Sequence, residues 1–315
     1  MERKFRLPVS QCDKNFYKTH RAKLLPSIPK LTSPPVDYNY LSEKQKLVVR
    51  LVDQHLKKDA LEQKRDPLGL LVMGCAGSGK SATLLWVKKL LEEKQQEDPD
   101  FAFKAVSYTG MAAFNVNSET IHSAFHINPY AKTHRERMES LVKAARDPDT
   151  ARYFSKVRFL LIDEISTCGL IMMGYINKFL QLTHSGNEDK PFGGLSFCFF
   201  GDPFQIGSVA DYSPWQPLNP RLRESYGIIQ DYYFGIPNCL FLDKSFRQQD
   251  ESDGSSSYFE FLGRLRNFQL TLEDIDKIRS RMSCNLGEKE LESFEEALHL
   301  YPLRWLAEKR NRFVQ

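Results

Sequence analysis

The run Gly74-Cys75-Ala76-Gly77-Ser78-Gly79-Lys80-Ser81 has the spacing G-x-x-x-x-G-K-[ST]. Glycines in such a run let backbone N–H groups converge on phosphate oxygens. A helix starting at the lysine adds partial positive charge. In that geometry Lys80 reaches the β- and γ-phosphates of a nucleoside triphosphate, and Ser81 ligates Mg²⁺. All eight positions, Gly74, Cys75, Ala76, Gly77, Ser78, Gly79, Lys80 and Ser81, are candidate ATP contacts. The reaction also needs carboxylates at a neighbouring strand end. Arg158-Phe159-Leu160-Leu161-Ile162-Asp163-Glu164 supplies two: Asp163 for the metal shell opposite Ser81, and Glu164 to polarise water against the γ-phosphate. A third apolar run, Ser196–Phe200, ends in Gly201-Asp202-Pro203-Phe204-Gln205. Gln205 there is placed to sense the γ-phosphate; the bland alternative is a polar turn after a strand.

These groups must be held by strands that end at one edge. Short, unalternating apolar runs at Leu68–Met73, Ala102–Ser107, Arg158–Asp163, Ser196–Gly201 and Cys239–Asp243 read as buried strands. Helical stretches are expected at Ser81–Lys94, Thr120–Phe125, Arg135–Arg146 and Cys168–Thr183, with an earlier helix capped by Ser42. Alternation of this kind implies an α/β fold, a parallel sheet covered by helices on both faces. Asp211–Gly235, with Pro214, Pro217 and Pro220, reads as a connection leaving the first domain. Beyond it, Ser257–Asn267 and Thr271–Met282 read as helices, the second opened by a Thr271/Asp274 capping box, and Ala297–Tyr301 reads as a strand. The expected division is a flexible basic arm over 1–40, an ATPase domain over 41–235 and a partial second domain over 236–315.

Composition sets the outer bounds. Hydrophobic content of 41% and charged content of 27% suit a globular chain. No apolar stretch reaches the ~18 residues that span a bilayer, and the start carries no secretory apolar core. The six cysteines are scattered without zinc spacing, which points to reduced thiols. The net charge is +4, yet residues 1–40 hold eight Lys/Arg against Glu2, Asp13 and Asp37, so the basic excess lies in that arm. It suits a solvated tail, contact with nucleic acid phosphates, or a mitochondrial presequence.

The ordered series resembles a superfamily 1 DNA helicase of the RecD-like branch and, more narrowly, the petite-integration-frequency family. The stretches that carry the likeness are Gly74–Ser81, Thr109–Asn115, Thr120–Phe125, Leu161–Ser166, Gly201–Gln205, and Lys244–Gln248 followed by Phe261-Leu262-x-x-Leu265-Arg266. Leu41-Ser42-x-x-Gln45 is similar to the family's adenine-reading motif. The likeness implies a RecA-like ATPase core plus an incomplete second RecA-like domain. It implies an ATP- and Mg²⁺-dependent enzyme moving 5′ to 3′ on single-stranded DNA or a forked duplex. DNA repair, recombination or telomere maintenance in nucleus or mitochondrion would be its setting. By the same likeness Gln45 contacts adenine, Thr109, Gly110, Thr120 and His122 grip the DNA backbone, and Arg247 is an arginine finger reaching the γ-phosphate from the second domain. For His122 a helix-start role satisfied by backbone stands beside DNA contact. For Phe114 and Phe125, apolar core stands beside base stacking.

The chain departs from the family in two places. Ile206-Gly207-Ser208-Val209 follow Gln205 where the family has prolines, so a looser loop is expected. The family's last two motifs do not follow before Gln315, so the chain reads as truncated at its C-terminus. Three readings follow: an ATP-dependent helicase, a truncated ATP- and single-strand-binding module that does not unwind, and another type of phosphate-loop ATPase; a partner chain is a candidate source of the missing motor half. The Thr109–Phe125 block speaks against the third.

Overall fold

Six strands form one parallel sheet in the computed structural model, which describes residues 37–59, 66–244, 246, 255–294 and 297–314. They are β1 (Gly69–Gly74), β2 (Ala102–Ser107), β3 (Glu119–Thr120), β4 (Val157–Asp163), β5 (Ser196–Gly201) and β6 (Asn238–Leu242), in the order β3-β2-β4-β5-β1-β6. Residues 1–36 of the basic arm, and Arg247, lie outside the described residues.

Strand residues alternate between two apolar clusters, as a pleat covered on both sides requires. Leu71, Met73, Leu160, Ile162, Phe197 and Phe199 face one cluster, shared with α5 (His134–Ala145), α6 (Pro148–Phe154), α7 (Leu170–Thr183) and α8 (Pro220–Phe234). Leu70, Val72, Phe159, Leu161, Cys198 and Phe200 face the other, shared with α1 (Glu43–Asp59) and α2 (Lys80–Glu97). Two short helices, α3 (Gly110–Asn115) and α4 (Ile121–Ala124), flank β3. Phe125 is fully buried against Phe154 and Phe179, which settles it as core, whereas Phe114 is half-buried. Among the described residues Cys75, Cys168, Cys198, Cys239 and Cys284 are free thiols, and no helix is long and apolar enough to cross a membrane.

The strands stand within a residue of their expected limits, but three features differ. The stretch Asp211–Gly235 is not all connection: Pro220 opens α8, and Asn219 caps it by accepting from Leu222 N–H at 3.0 Å. Proline is favoured at this first helical position because its missing N–H would be unpaired there anyway. Next, β6 lies beside β1 in the sheet, with Leu71 opposite Cys239, so the first compact unit extends past 235. Finally, Ala297–Tyr301 forms no strand: Leu298 and Leu300 are 89% and 87% exposed, with no neighbouring strand among the described residues to pair with.

The second unit, residues 248–315, holds the helices α9 (Ser255–Arg266), α10 (Leu272–Ser280), α11 (Glu288–Glu292) and α12 (Arg304–Val314). Arg264 donates twice to the Asp274 carboxylate, at 2.7 Å each, tying α9 to the start of α10. Asp274 also completes the expected capping box with Thr271. These donors hold its carboxyl well below the usual carboxylate range, the Arg264 hydrogen bond foremost.

Candidate functional site

Because β1, β4 and β5 are parallel and adjacent in the sheet, their C-terminal ends share one edge, where open α/β sheets bind ligands. The phosphate-loop sequence leaves β1 there. Gly74 lies under the Ser78 hydroxyl, and a Cβ at Gly74 would collide with that oxygen. The Ser78 hydroxyl is buried and has no hydrogen-bond partner, an orphan polar group aimed into the loop. Gly79 has φ 81°, a left-handed conformation that suits glycine, and α2 begins at Lys80. The loop's orphan hydroxyl, its glycines and the start of a long helix make a fitting phosphate cradle.

Lys80 turns back onto this loop. Its Nζ donates to Gly74 O at 2.8 Å and Cys75 O at 3.1 Å. Burial lowers its pKa, while the charges of Asp202, Glu164 and Asp163 oppose that shift. Lys80 therefore sits in the field of three carboxylates carried by two strand ends. Asp163 is 6% exposed and accepts from Glu164 N–H at 3.0 Å. Burial, then the neighbouring Glu164 charge, pushes its carboxyl up to about 6. A buried carboxylate so placed gains from a cation, and the hard oxygen donors of Asp163 and of the exposed Ser81 hydroxyl are of the kind that suits Mg²⁺.

Glu164 adopts φ 54° and ψ 45°, a left-handed conformation that costs a non-glycine residue roughly 1–3 kcal/mol. Thr167 holds it there, donating to Glu164 O from its hydroxyl at 2.7 Å and from its N–H at 3.0 Å. The half-buried Glu164 carboxylate lies close enough for its charge to act on Lys80.

Gln205 is exposed at the turn after β5. Asp202, fully buried, makes that turn: its carboxylate accepts from Phe204 N–H at 3.1 Å and its carbonyl from Gln205 N–H at 3.1 Å. The loop beyond Gln205 is pinned despite its lack of prolines. Asp211 accepts from Ile171 N–H at 2.9 Å and Met172 N–H at 3.0 Å, capping α7 from a distance. The Asp211 carboxylate fills the space a side chain at Gly169 would need. Asp202 and Asp211 escaped the sequence reading. Asp202 had a visible signal, a carboxylate directly after the apolar run of β5, whereas nothing local marks Asp211.

Gln45 is 2% exposed and uses both ends of its carboxamide internally. Its Oε1 accepts from Ser42 N–H at 2.7 Å, and its Nε2 donates to Ser78 O at 3.2 Å and Gly79 O at 3.3 Å. It thus fastens the start of α1 to the loop. On the other side Phe246 N–H donates to Gly77 O at 2.9 Å, so the residue preceding Arg247 is tied to the same loop.

The block between β2 and α4 has a different character. Thr109 caps α3, accepting from Ala112 N–H at 3.2 Å, and Thr120 caps α4, accepting from Ser123 N–H at 3.3 Å. Thr109 and Gly110 are exposed, and a side chain at Gly110 would meet nothing within 4 Å. His122, the second residue of α4, lies edge-on to Tyr108 at 5.7 Å between ring centroids. Burial, and then the Arg137 charge, lower its pKa.

Residues 40–276 match the family model described as PIF1-like helicase. ATP-dependent DNA helicase PIF1 of Emericella nidulans is 26% identical over 213 residues, 67% of this chain and 26% of that protein. ATP-dependent DNA helicase RRM3 of Saccharomyces cerevisiae is 24% identical over 265 residues, 82% of this chain and 33% of that protein. The chain thus spans about a quarter to a third of the length of these curated relatives. In fold it is similar to the crystal structure of Pif1 helicase from Candida albicans, with TM-score 0.54, 22% identity and coverage of 75% of this chain and 46% of that one. It is also similar to unliganded Pif1 from Bacteroides sp, with TM-score 0.50, 25% identity and coverage of 82% and 52%. With three quarters of its length inside the family match, and a parallel sheet carrying the phosphate loop at its edge, the chain belongs to the PIF1-like helicase family.

Proposed function

We propose that this chain is the ATP-hydrolysing part of a DNA helicase that couples turnover to movement on single-stranded DNA. The observation that carries the reading is Lys80 on its glycine-rich loop, in the field of Asp163, Glu164 and Asp202 at one sheet edge. In this reading the loop amides and Lys80 hold the triphosphate, and Ser81 and Asp163 hold Mg²⁺, which stabilises the charge that develops on the phosphoryl oxygens. Glu164 orients and deprotonates the attacking water. Gln205 registers loss of the γ-phosphate, with Asp202 setting its turn. Arg247 neutralises transition-state charge; the tie of Phe246 to Gly77 supports it, by tethering the preceding residue to the loop. Gln45 reads adenine by exchanging one of its loop bonds for the base edge.

Thr109, Gly110, Thr120 and His122 contact phosphate and sugar of the single strand without reading sequence. The open surface over Gly110 and the exposed N-terminus of α3 support this. We place the movement 5′ to 3′, on forked or tailed DNA, in repair, recombination or telomere maintenance of nuclear or mitochondrial DNA.

A second reading has its own observation. Among the described residues of 248–314 the regular elements are all helices, and Ala297–Tyr301 forms no strand. On that reading the chain binds ATP and single-stranded DNA, hydrolyses slowly and needs a partner chain to unwind. Strand separation of 5′-tailed and 3′-tailed duplexes by the purified chain with ATP and Mg²⁺ decides between them. Release from the 5′-tailed substrate alone supports the helicase. Nucleotide and single-strand binding without release supports the module. Binding of neither removes both.

A further inference from the structure

Lys88 lies on α2, eight positions after Lys80, which is about 12 Å along the helix. The rest of the buried face of α2 is Thr83, Leu84, Leu85, Val87 and Leu91. Lys88 is nevertheless only 8% exposed. Its ammonium donates to Asn117 O at 2.7 Å and Val116 O at 3.2 Å, and it pairs with the Glu92 carboxylate at 3.6 Å. Val116 and Asn117 form the turn after α3, with Asn117 in the left-handed region at φ 48°. A positive charge on the last carbonyls of a helix also complements its dipole.

The turn is the middle of the block proposed to hold DNA. Thr109 and Gly110 open α3 on one side, and β3 leads to Thr120 and His122 on the other. The same short segment is fastened to the sheet by Ser118, whose N–H donates to Ala113 O at 2.7 Å and whose hydroxyl lies 3.4 Å from that of Ser107. The helix that starts at the phosphate loop is therefore bolted, through one buried ammonium, to the centre of the block that carries both DNA motifs. A methionine would fill the same volume but leave both carbonyls without their donor.

We infer that Lys88 is a positioning residue that makes nucleotide and single-strand binding felt at each other's site. The inference rests on the proposed function, since it needs both ligands. A phosphate taken up at the start of α2 shifts a rigid rod whose middle holds Val116 and Asn117, and the block moves with it. By linkage the coupling must be reciprocal, typically about 5- to 150-fold in affinity.

The test is the affinity of fluorescent oligo-dT for the full chain, with and without a non-hydrolysable ATP analogue, in wild type, Lys88→Met and Lys88→Arg. The expected result is a nucleotide-dependent change of about fivefold or more in wild type. Lys88→Met should bring it close to one while keeping each ligand's separate affinity within about twofold, and Lys88→Arg should restore most of it. A Lys88→Met chain that binds both ligands with wild-type coupling overturns the inference and leaves the proposed function intact. A wild-type chain that binds no oligo-dT removes the proposed function and this role with it. Should Lys88→Met not fold, hydrogen exchange on wild type carries the test. The analogue should slow exchange of the Ala113 to Thr120 amides, and unchanged exchange there overturns the inference.

Discussion

The Lys80 edge and the Thr109–His122 block sit on the same sheet, yet they treat their polar groups in opposite ways. At the edge, Asp163 and Asp202 are buried, Lys80 is folded onto its own loop, and Glu164 is held in a strained conformation. In the block, Thr109 and Gly110 are exposed, and Thr109 and Thr120 are occupied with capping short helices. The difference matches what each does in the proposed function. Charge developing on a phosphoryl group is stabilised best by fixed groups out of water. A sliding strand needs an open surface with modest, replaceable contacts.

The sharpest way to break the contrast is Glu164→Gln. It should lower ATP turnover by about 10²- to 10⁴-fold with nucleotide affinity little changed, as seen by phosphate release and by titration with a fluorescent ATP analogue. Unchanged turnover would mean another group activates water. Next in size is Lys80→Ala, expected to weaken nucleotide binding by on the order of 100-fold, about 3 kcal/mol, in the same titration. An affinity within a few-fold of wild type would contradict the cradle.

Asp163→Asn tests the burial itself. Its carboxyl is pushed from an ordinary value of 3.8 up to about 6 in the folded chain. Between those values the folded state binds the proton and the unfolded state does not, so stability should fall as pH rises from about 4 to 6. Asp163→Asn removes that proton linkage. It should raise the nucleotide-free protein's stability at pH 7.5 by about 2–3 kcal/mol and flatten its dependence between pH 4 and 6, measured by urea unfolding. A destabilised variant would show that the carboxylate is compensated within the fold. The smallest effect belongs to the block: Thr109→Ala and Thr120→Ala should each cost about 1 kcal/mol of stability as lost caps, and weaken oligo-dT binding without touching nucleotide affinity. Loss of stability alone would assign these hydroxyls to capping only.

Much of the architecture of the Lys80 edge was legible because its signals are local. The glycine spacing of 74–81 and the apolar runs ending in Asp163 and Gly201 each specify an element and its functional end without distant partners. What escaped is non-local. Cys239–Asp243 is an equally good strand for either domain, and only its pairing with β1 assigns it. Pro220 looks like a chain breaker until Asn219 makes it a helix start. Asp211 acts on an N–H forty residues away, and Lys88, followed by Lys89 on α2, looks solvated until the fold buries it. Ala297–Tyr301 has strand composition, but a strand exists only where another accepts its hydrogen bonds.

The central claim, that the Lys80 edge hydrolyses ATP in response to DNA bound by the Thr109–His122 block, is tested most directly by phosphate release as oligo-dT is titrated into the purified chain with ATP and Mg²⁺. Turnover should rise severalfold and saturate, and Glu164→Gln should remain flat throughout. Turnover that stays constant across the titration, or that persists in Glu164→Gln, contradicts the account.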